Sequence, residues 1–120
     1  MTAVFKLKIQ EISEDKAQQA LVQWMRYMKI PVIHIPNEGK RSYQLANWLK
    51  AMGLRPGVYD LLLPRARKGY HGYWIEMKKR GKKLTPLQEE FGEEMRAEGY
   101  KAEWFDCWEN AKKSIEEYLG

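Results

Sequence analysis

The segments VYDLLL (residues 58–63) and YWIEMK (residues 73–78) decide the fold of this chain of 120 residues. Each is a short and mostly apolar run, which is typical of a buried β-strand. Each also carries an acidic side chain, Asp60 in the first segment and Glu76 in the second. Burying a carboxylate costs free energy unless a cation or hydrogen bonds compensate it. The two acids are therefore the first candidates for a functional site.

Strand geometry predicts how these side chains are arranged. Successive side chains of a strand point to opposite faces, so Glu76 and Lys78 share one face of the second strand. The glycine-containing link between the segments favours an antiparallel hairpin, which would bring Asp60 close to Glu76. Two carboxylates and a substrate phosphate can hold Mg²⁺, which keeps several waters, and Lys78 would stabilise phosphate charge. The spacing alone is equally compatible with a divalent-metal site that cleaves phosphodiesters and with a buried Glu–Lys pair that only closes the sheet edge.

The composition limits the classes of protein to which the chain can belong. Its length predicts a single domain over residues 1–120, with residues 1–12 as an N-terminal arm or a short strand. The formal net charge of +5 and the pI of about 9.3 favour an acidic partner, with nucleic acid first. Cys107 is the single cysteine, which excludes an internal disulfide and fits a reducing cytoplasm. No apolar stretch has the length of a membrane span, so we expect no membrane partner.

Helical and extended patterns alternate along the rest of the chain. The predicted elements are, in order, a helix over about 13–29, a strand over 31–36, a helix over 43–52, the strands 58–63 and 73–78, a helix over about 86–99, a strand over 100–105 and a helix over about 107–119. A helix between two strands is typical of the right-handed crossover that links parallel strands. The order α-β-α-β-β-α-β-α therefore predicts the α/β class, with a small mixed sheet flanked by helices.

Three helix starts carry capping signals. Ser13 is the predicted N-cap of the first helix. Thr85 and Gln88 form a capping box at the start of the third helix, and Asp106 and Glu109 form the same pattern before the last one. These signals predict sharp starts for the helices on both sides of the last strand.

Several unusual residues are assigned to the core rather than to a site. His34 lies in an apolar strand, and we expect a buried histidine whose hydrogen bonds are satisfied. Neither His34 nor His71 has a partner at zinc spacing, so no zinc site is predicted. Trp24, Trp48 and Trp74 fall on apolar faces of their elements.

Short motifs follow one another in a fixed order along the chain. They are EDKAQQAL (residues 14–21), GVYDL (57–61), IEMK (75–78) and LTPLQ (84–88). Together they resemble the VRR-NUC family, the virus-type replication-repair nuclease branch of the PD-(D/E)xK superfamily, over roughly residues 13–119. The similarity is to the small stand-alone versions encoded by phages and prophages. It implies a restriction-endonuclease-like core and a metal-dependent DNA endonuclease.

The resemblance also implies a role for each matched residue. Asp60 and Glu76 would be metal ligands, and the backbone carbonyl of Met77 would be a third. Glu14, on the first helix, would be an additional ligand or a contact through water. Lys78 would be the catalytic lysine.

Two glutamines also match the family pattern, and one residue differs from it. Gln18 and Gln88 correspond to family glutamines that would lie just outside the metal ligands. The capping box explains Gln88 without any catalytic role, and both roles can hold together. Tyr59 stands where the family usually has proline before the aspartate, which leaves the assignment of Asp60 intact.

Basic residues near the predicted site are candidates for DNA binding. A charge run is usually only a solvated surface, but this run directly follows Lys78 and favours contact with phosphates. The candidates are Lys79, Arg80, Lys82, Lys83, Lys40 and Arg41.

The function predicted from the sequence is that of a metal-dependent, structure-specific DNA endonuclease. The resemblance makes four-way (Holliday) junctions or other branched DNA the leading substrate, with Mg²⁺ or Mn²⁺ as the metal and no small-molecule cofactor. Paired incisions in a symmetric junction need two sites, which favours a homodimer in the cytoplasm of the bacterial host of a phage or prophage. The alternatives are a nuclease for flaps, ends or duplex DNA, and a non-catalytic DNA-binding module of the same fold.

Overall fold

The computed structural model of the protein describes residues 14–36 and 42–120. The predicted arm over residues 1–12, the N-cap Ser13 and the basic residues Lys40 and Arg41 lie outside the described residues. No helix among the described residues is long and apolar enough to cross a membrane.

Within residues 14–36 and 42–120, four helices and four strands follow the predicted order. They are α1 (Glu14–Tyr27), β1 (Ile33–His34), α2 (Tyr43–Ala51), β2 (Leu61–Leu63), β3 (Tyr73–Met77), α3 (Pro86–Ala97), β4 (Lys101–Phe105) and α4 (Trp108–Leu119). The predicted α/β class is confirmed. Most boundaries agree with the sequence pattern, but β1 and β2 are shorter than their apolar runs.

The strands form one mixed sheet in the order β1-β2-β3-β4. β1 pairs with β2 and β2 pairs with β3 in antiparallel fashion, so the predicted hairpin is present. β3 and β4 are parallel, and α3 is the crossover between them. β3 is therefore a central strand, paired on both sides and buried over most of its length.

The two faces of the sheet are covered by different helices. On one face, Leu61, Ile75 and Met77 pack with residues of α1 and α4 in the larger core. On the other face, Trp74 and Ala102 pack in a smaller cluster beneath α3. The division follows from the alternation of side chains along each strand.

Helix starts agree with the sequence in one case and differ in another. Thr85 is the N-cap of α3, and its capping box with Gln88 is complete. The predicted capping box of Asp106 and Glu109 is wrong, because Cys107 occupies the N-cap position and makes no side-chain capping bond. The Cys107 Sγ instead lies 3.1 Å from a carboxylate oxygen of Glu109. The N-cap of α4 is therefore one residue later than predicted, a difference that is common at helix ends.

α2 is the exception to the rule that each helix buries one face. None of its residues is buried, and the side chains of Tyr43 and Trp48 are 79% and 58% exposed. Trp48, whose place on an apolar helix face is compatible with a core or an interface, is not in a core, while Trp24 and Trp74 pack against the two clusters. Among the described residues, α2 presents an uncovered apolar surface.

Candidate active site

Asp60 and Glu76 face one another at the end of the β2–β3 hairpin. The antiparallel register pairs Leu61 of β2 with Ile75 of β3, so the next residues opposite one another are Asp60 and Glu76. Both side chains are nearly inaccessible, with 4% and 1% of their surface exposed. The hairpin thus brings two carboxylates to one buried position, as the sequence predicted.

The Glu76 carboxylate accepts hydrogen bonds on both oxygens. The backbone N–H of Asp60 donates to Oε1 over 2.9 Å. The Gln88 side-chain amide donates to Oε2 over 3.1 Å. A side chain has taken the place of a strand partner for the Asp60 N–H, and this arrangement fixes both the backbone at Asp60 and the orientation of Glu76.

Lys78 lies on the same face as Glu76. Its Nζ is 3.8 Å from Glu76 Oε2, and only 12% of the lysine side chain is exposed. The backbone N–H of Lys78 donates to the carbonyl of Phe105 over 2.8 Å, which extends the β3–β4 pairing by one residue. The backbone of Lys78 is therefore held by the sheet, while its ammonium group remains next to the carboxylate.

Gln88 serves the helix start and the site at the same time. Its Oε1 accepts from the Thr85 N–H over 3.0 Å, which is half of the capping box. Because the carboxamide oxygen is used there, the Nε2 end must face the Glu76 carboxylate. The two roles that the sequence allowed for Gln88 are both present, and the first turn of α3 is tied directly to the buried acid.

Comparisons with known proteins identify the family of the chain. The family model of the VRR-NUC domain matches residues 8–106. The chain belongs to the VRR-NUC family. The match includes every one of the residues that line the paired carboxylates, and the family is one of nucleases.

A solved structure described as a VRR_NUC domain protein is similar to the whole fold. It is 30% identical in sequence, the alignment covers 91% of this chain and 89% of that chain, and the TM-score is 0.79. No protein of curated function matches the chain at a significant level. The restriction-endonuclease-like, nuclease-type fold predicted from the motifs is therefore confirmed.

Glu14 lies near the site at the start of α1. Its Oε2 accepts a hydrogen bond from the backbone N–H of Lys79 over 3.2 Å, which joins the first helix to the residue after Lys78. The ligand role that the VRR-NUC resemblance implies for Glu14 stays a prediction.

A cleft opens beside Glu14, and we call it the lysine cleft. Its volume is about 440 Å³, and it is lined by Glu14, Asp15, Lys78, Lys79, Lys82, Lys83 and Thr85. The predicted DNA-binding residues Lys79, Lys82 and Lys83 thus share one concave surface. Arg80 is exposed in the same turn and does not line the cleft.

Gln18 reaches the site through a residue that sequence analysis missed. The Gln18 Nε2 lies 3.3 Å from Nδ1 of His34, and that nitrogen is 3.1 Å from the carbonyl oxygen of Asp60. A carbonyl only accepts hydrogen bonds, so His34 Nδ1 carries a proton and donates. The Ile35 N–H donates to the same carbonyl over 2.8 Å.

His34 was predicted to be buried in the core, and this is wrong. Its side chain is exposed, because β1 is an edge strand of only two residues. The spacing of strand residues gave no signal for its contact with Asp60, which depends on the pairing of β1 with β2.

Tyr59 replaces the family proline with a buried aromatic anchor. The ring is fully buried and lies 5.2 Å from Phe91 of α3, centroid to centroid. Burial in this cluster raises the pKa of the Tyr59 hydroxyl. That hydroxyl points at Gly92 of α3, where a Cβ would collide with it. Tyr59, which directly precedes Asp60, is therefore held against the same helix that supplies Gln88.

The donor set suits a hard divalent cation. Asp60, Glu76 and any backbone carbonyl offer only oxygen, which Mg²⁺ and Mn²⁺ prefer. Among residues 14–36 and 42–120, no group of three or more His, Cys, Asp or Glu side chains is arranged to hold a metal. A magnesium site does not require such a group, because Mg²⁺ is commonly bound by one or two carboxylates with waters and phosphate oxygens.

Proposed function

We propose that this VRR-NUC protein is a metal-dependent DNA endonuclease that acts on four-way junctions or other branched DNA. The observation that carries the proposal is the buried pair of Asp60 and Glu76 with the Lys78 ammonium 3.8 Å from Glu76. Two carboxylates and a lysine at one position are costly for stability. Their retention in a nuclease-type fold is explained if they perform phosphodiester hydrolysis.

Each residue has a role in this chemistry. Asp60 and Glu76 would hold Mg²⁺ or Mn²⁺, helped by the Met77 carbonyl and by Glu14. When bound, such a metal supplies a water of lowered pKa and charge stabilisation at the phosphate. Lys78 places its positive charge where the attacking water is oriented and where phosphate charge increases. Gln88 holds the Glu76 carboxylate in one orientation through its 3.1 Å hydrogen bond.

The lysine cleft supports a nucleic-acid substrate. Four lysines and two acids line it, and it adjoins Lys78. Lysines that follow a cleavage site bind the backbone phosphates and carry no base information, so recognition by DNA shape is favoured over recognition of sequence.

A homodimer is part of the proposal, and α2 offers a surface for it. Tyr43, Leu45, Trp48 and Met52 are between 44% and 79% exposed. An apolar patch of this kind is typical of a contact between proteins. A second copy would cover it and would bring a second site to a symmetric junction. Light scattering should give the mass of a dimer, and Trp48→Glu should give a monomer; a monomeric wild type at working concentration would remove this part of the proposal.

The test of the activity is cleavage of labelled junction, flap and linear duplex DNA with Mg²⁺, with Mn²⁺ and with EDTA. We expect junction cleavage that requires the metal. Asp60→Asn and Lys78→Ala should each lower the rate by about 100-fold or more, because they remove a ligand or transition-state charge stabilisation. Lys113→Ala, an exposed lysine of α4, is the matched control and should cleave normally.

The outcomes separate the alternatives. Cleavage of flaps or duplexes in preference to junctions would support the second nuclease function. Binding of DNA without cleavage under any divalent metal would leave only a non-catalytic module. Junction cleavage that survives Asp60→Asn would show that the site has been misplaced. The cytoplasm of a bacterial phage host remains the proposed location, which the single cysteine supports.

A further inference from the structure

A second cavity lies along α1 next to β1, and we call it the amide pocket. Its volume is about 480 Å³, and Gln18, Gln19, Gln23, Arg26 and Asp15 form its polar rim. Val22 and Pro36 add apolar surface to the lining. Three carboxamides on one exposed helix face are more than solubility requires, and none of the roles proposed for the active site uses Gln19 or Gln23.

The amide pocket is connected to the active site by a hydrogen bond of His34. His34 forms part of its wall, and the Nδ1 of His34 donates to the Asp60 carbonyl over 3.1 Å. Gln18, also in the wall, lies 3.3 Å from the same nitrogen. Asp15 lines both the amide pocket and the lysine cleft. Both cavities therefore adjoin the site at which a DNA strand would be bound by Asp60.

The two cavities differ in charge. Counted over the described residues, the lysine cleft has four lysines against two acids, whereas the amide pocket has one arginine against one aspartate, with histidine and amides between them. Phosphate groups are attracted to the lysine cleft and gain little in the amide pocket, where Asp15 repels them. The amide pocket is suited to a part of the substrate that is polar but uncharged.

A nucleobase is the uncharged polar part of DNA. Its edge carries hydrogen-bond donors and acceptors side by side, and a glutamine carboxamide offers the complementary pair. Its ring face is apolar and suits contact with Val22 and Pro36, and the cavity volume lies in the range that takes small ligands. Within a duplex the edges and faces of the bases are occupied by pairing and stacking, so only an unpaired base can enter.

We infer that the amide pocket binds an unpaired nucleobase on the strand whose phosphate lies at Asp60 and Glu76. The inference rests on the proposed function and deepens it, because it assigns a part of the protein that distinguishes branched from continuous DNA. The base leaves the stack at a branch point and enters the pocket, and its neighbouring phosphate is thereby placed beside the carboxylates. The lysine cleft binds backbone of any structure, and the amide pocket adds the preference for unpaired nucleotides.

The experiment compares two labelled DNAs of the same length, one fully paired and one with a short unpaired stretch. Binding is followed by fluorescence anisotropy with Ca²⁺ in place of Mg²⁺, so that hydrolysis does not interfere. The wild type should bind the unpaired DNA more tightly. The double variant Gln19→Ala/Gln23→Ala should weaken binding of that DNA about tenfold, as loss of a base contact does, and leave the fully paired DNA within about twofold. Both glutamines are exposed, and Asn110→Ala, an exposed carboxamide on α4, is the matched control.

A second arm needs no variant. Abasic sites in the unpaired stretch keep every phosphate and remove the bases, so the wild type should lose its preference for the unpaired DNA. A preference that survives the abasic substitution, or equal weakening of both DNAs by the double variant, would overturn the inference. Cleavage in Mg²⁺ is measured separately: a wild type that prefers unpaired bases but cleaves nothing contradicts the proposed activity alone, and one that cleaves without any base preference contradicts the pocket alone.

Discussion

The two faces of the sheet are built from the same strands and have opposite characters. In β3, Ile75 and Met77 point into the larger core between α1 and α4, where the neighbours are aliphatic and aromatic. Glu76, between them in sequence, points to the α3 side and lies beside Asp60, Lys78 and Gln88. One face is apolar throughout, and the other contains buried charges.

The difference shows how the protein separates stability from function. Apolar burial in the larger core supplies the favourable free energy of folding. The α3 face includes groups that cost free energy: two buried carboxylates, and, among the described residues, a Trp74 indole N–H without a hydrogen-bond partner. A central strand stabilised from one side can hold such groups in fixed positions on the other side.

The sharpest test of this separation compares two adjacent residues of β3. Ile75→Ala should lower the free energy of unfolding by about 3 kcal/mol, because it leaves a cavity in the larger core. Glu76→Gln should lower it by only about 1 kcal/mol, because the removal of a buried charge offsets part of the cost of losing one hydrogen bond, since the new amide nitrogen cannot accept from the Gln88 amide. Cleavage should respond in the reverse order, with a loss of about 100-fold or more for Glu76→Gln only.

Urea denaturation and single-turnover cleavage measure the two quantities on the same samples. The rate for Ile75→Ala is taken per folded molecule and should stay near that of the wild type. If Ile75→Ala lost activity while fully folded, or if Glu76→Gln unfolded the protein, the two faces would not be separable.

The contact between Tyr59 and Gly92 gives the next largest effect. Alanine for glycine in a helix usually stabilises by about 1 kcal/mol. Gly92→Ala should instead destabilise by about 2 kcal/mol, because the new Cβ collides with the Tyr59 hydroxyl and lies 3.2 Å from its ring carbon Cζ.

Thermal denaturation of a double-mutant cycle with Tyr59→Phe checks this explanation. Removing the hydroxyl should recover about half of the loss, since the oxygen goes and the ring remains. Strictly additive effects of the two substitutions would show that the contact does not cause the destabilisation.

A smaller effect is expected from the two partners of the capping box. Thr85→Ala removes only a helix cap and should cost about 1 kcal/mol with the cleavage rate nearly kept. Gln88→Ala should cost a similar free energy and also lower the rate about tenfold, because Glu76 loses its 3.1 Å hydrogen bond. Equal cleavage rates for the two variants would mean that Gln88 acts on the helix alone.

The smallest effect concerns Glu103 at the outer end of the larger core. Burial alone would raise the pKa of its carboxyl, but hydrogen bonds from Lys101, Tyr73 and Ser114 and the charge of Lys101 lower the pKa below its ordinary value of 4.5. A carboxyl whose pKa is lower in the folded state than in the unfolded state stabilises the folded protein at a pH above its unfolded-state pKa. This stabilisation is lost as the pH falls through the folded-state pKa. The side chain is 44% exposed, so the effect should be a few tenths of a kcal/mol.

Glu103→Gln tests this by denaturation at two pH values. It should be less stable than the wild type near neutral pH and equal to it well below pH 4.5. A difference that persists in acid would point to lost packing rather than lost charge.

Much of the fold was predictable because its signals are local. The alternation in residues 58–63 and 73–78 gives two strands and the face on which each side chain lies. Thr85 and Gln88 fix the start of α3, and the helix between β3 and β4 implies parallel pairing. The antiparallel hairpin between the two strands was enough to predict that Asp60 lies close to Glu76.

The rest depended on contacts between distant parts of the chain. The hydrogen bond from His34 to the Asp60 carbonyl exists only because the edge strand β1 pairs with β2, which no local pattern indicates. The exposure of Trp48 has the same origin, since an apolar helix face does not say whether anything covers it. The requirement for glycine at position 92 could not be predicted either, because it depends on the contact of Gly92 with the distant Tyr59.

Gln88 both caps α3 and donates to Glu76, and these two roles limit the substitutions that position 88 can accept. Glutamate caps a helix at that position as well as glutamine does, so helix formation would tolerate the exchange. The active site would not, because a third negative charge would lie beside Glu76 where an amide now donates. On the proposed function, residue 88 therefore has to meet two requirements, and glutamate would meet the one for folding but not the one for cleavage.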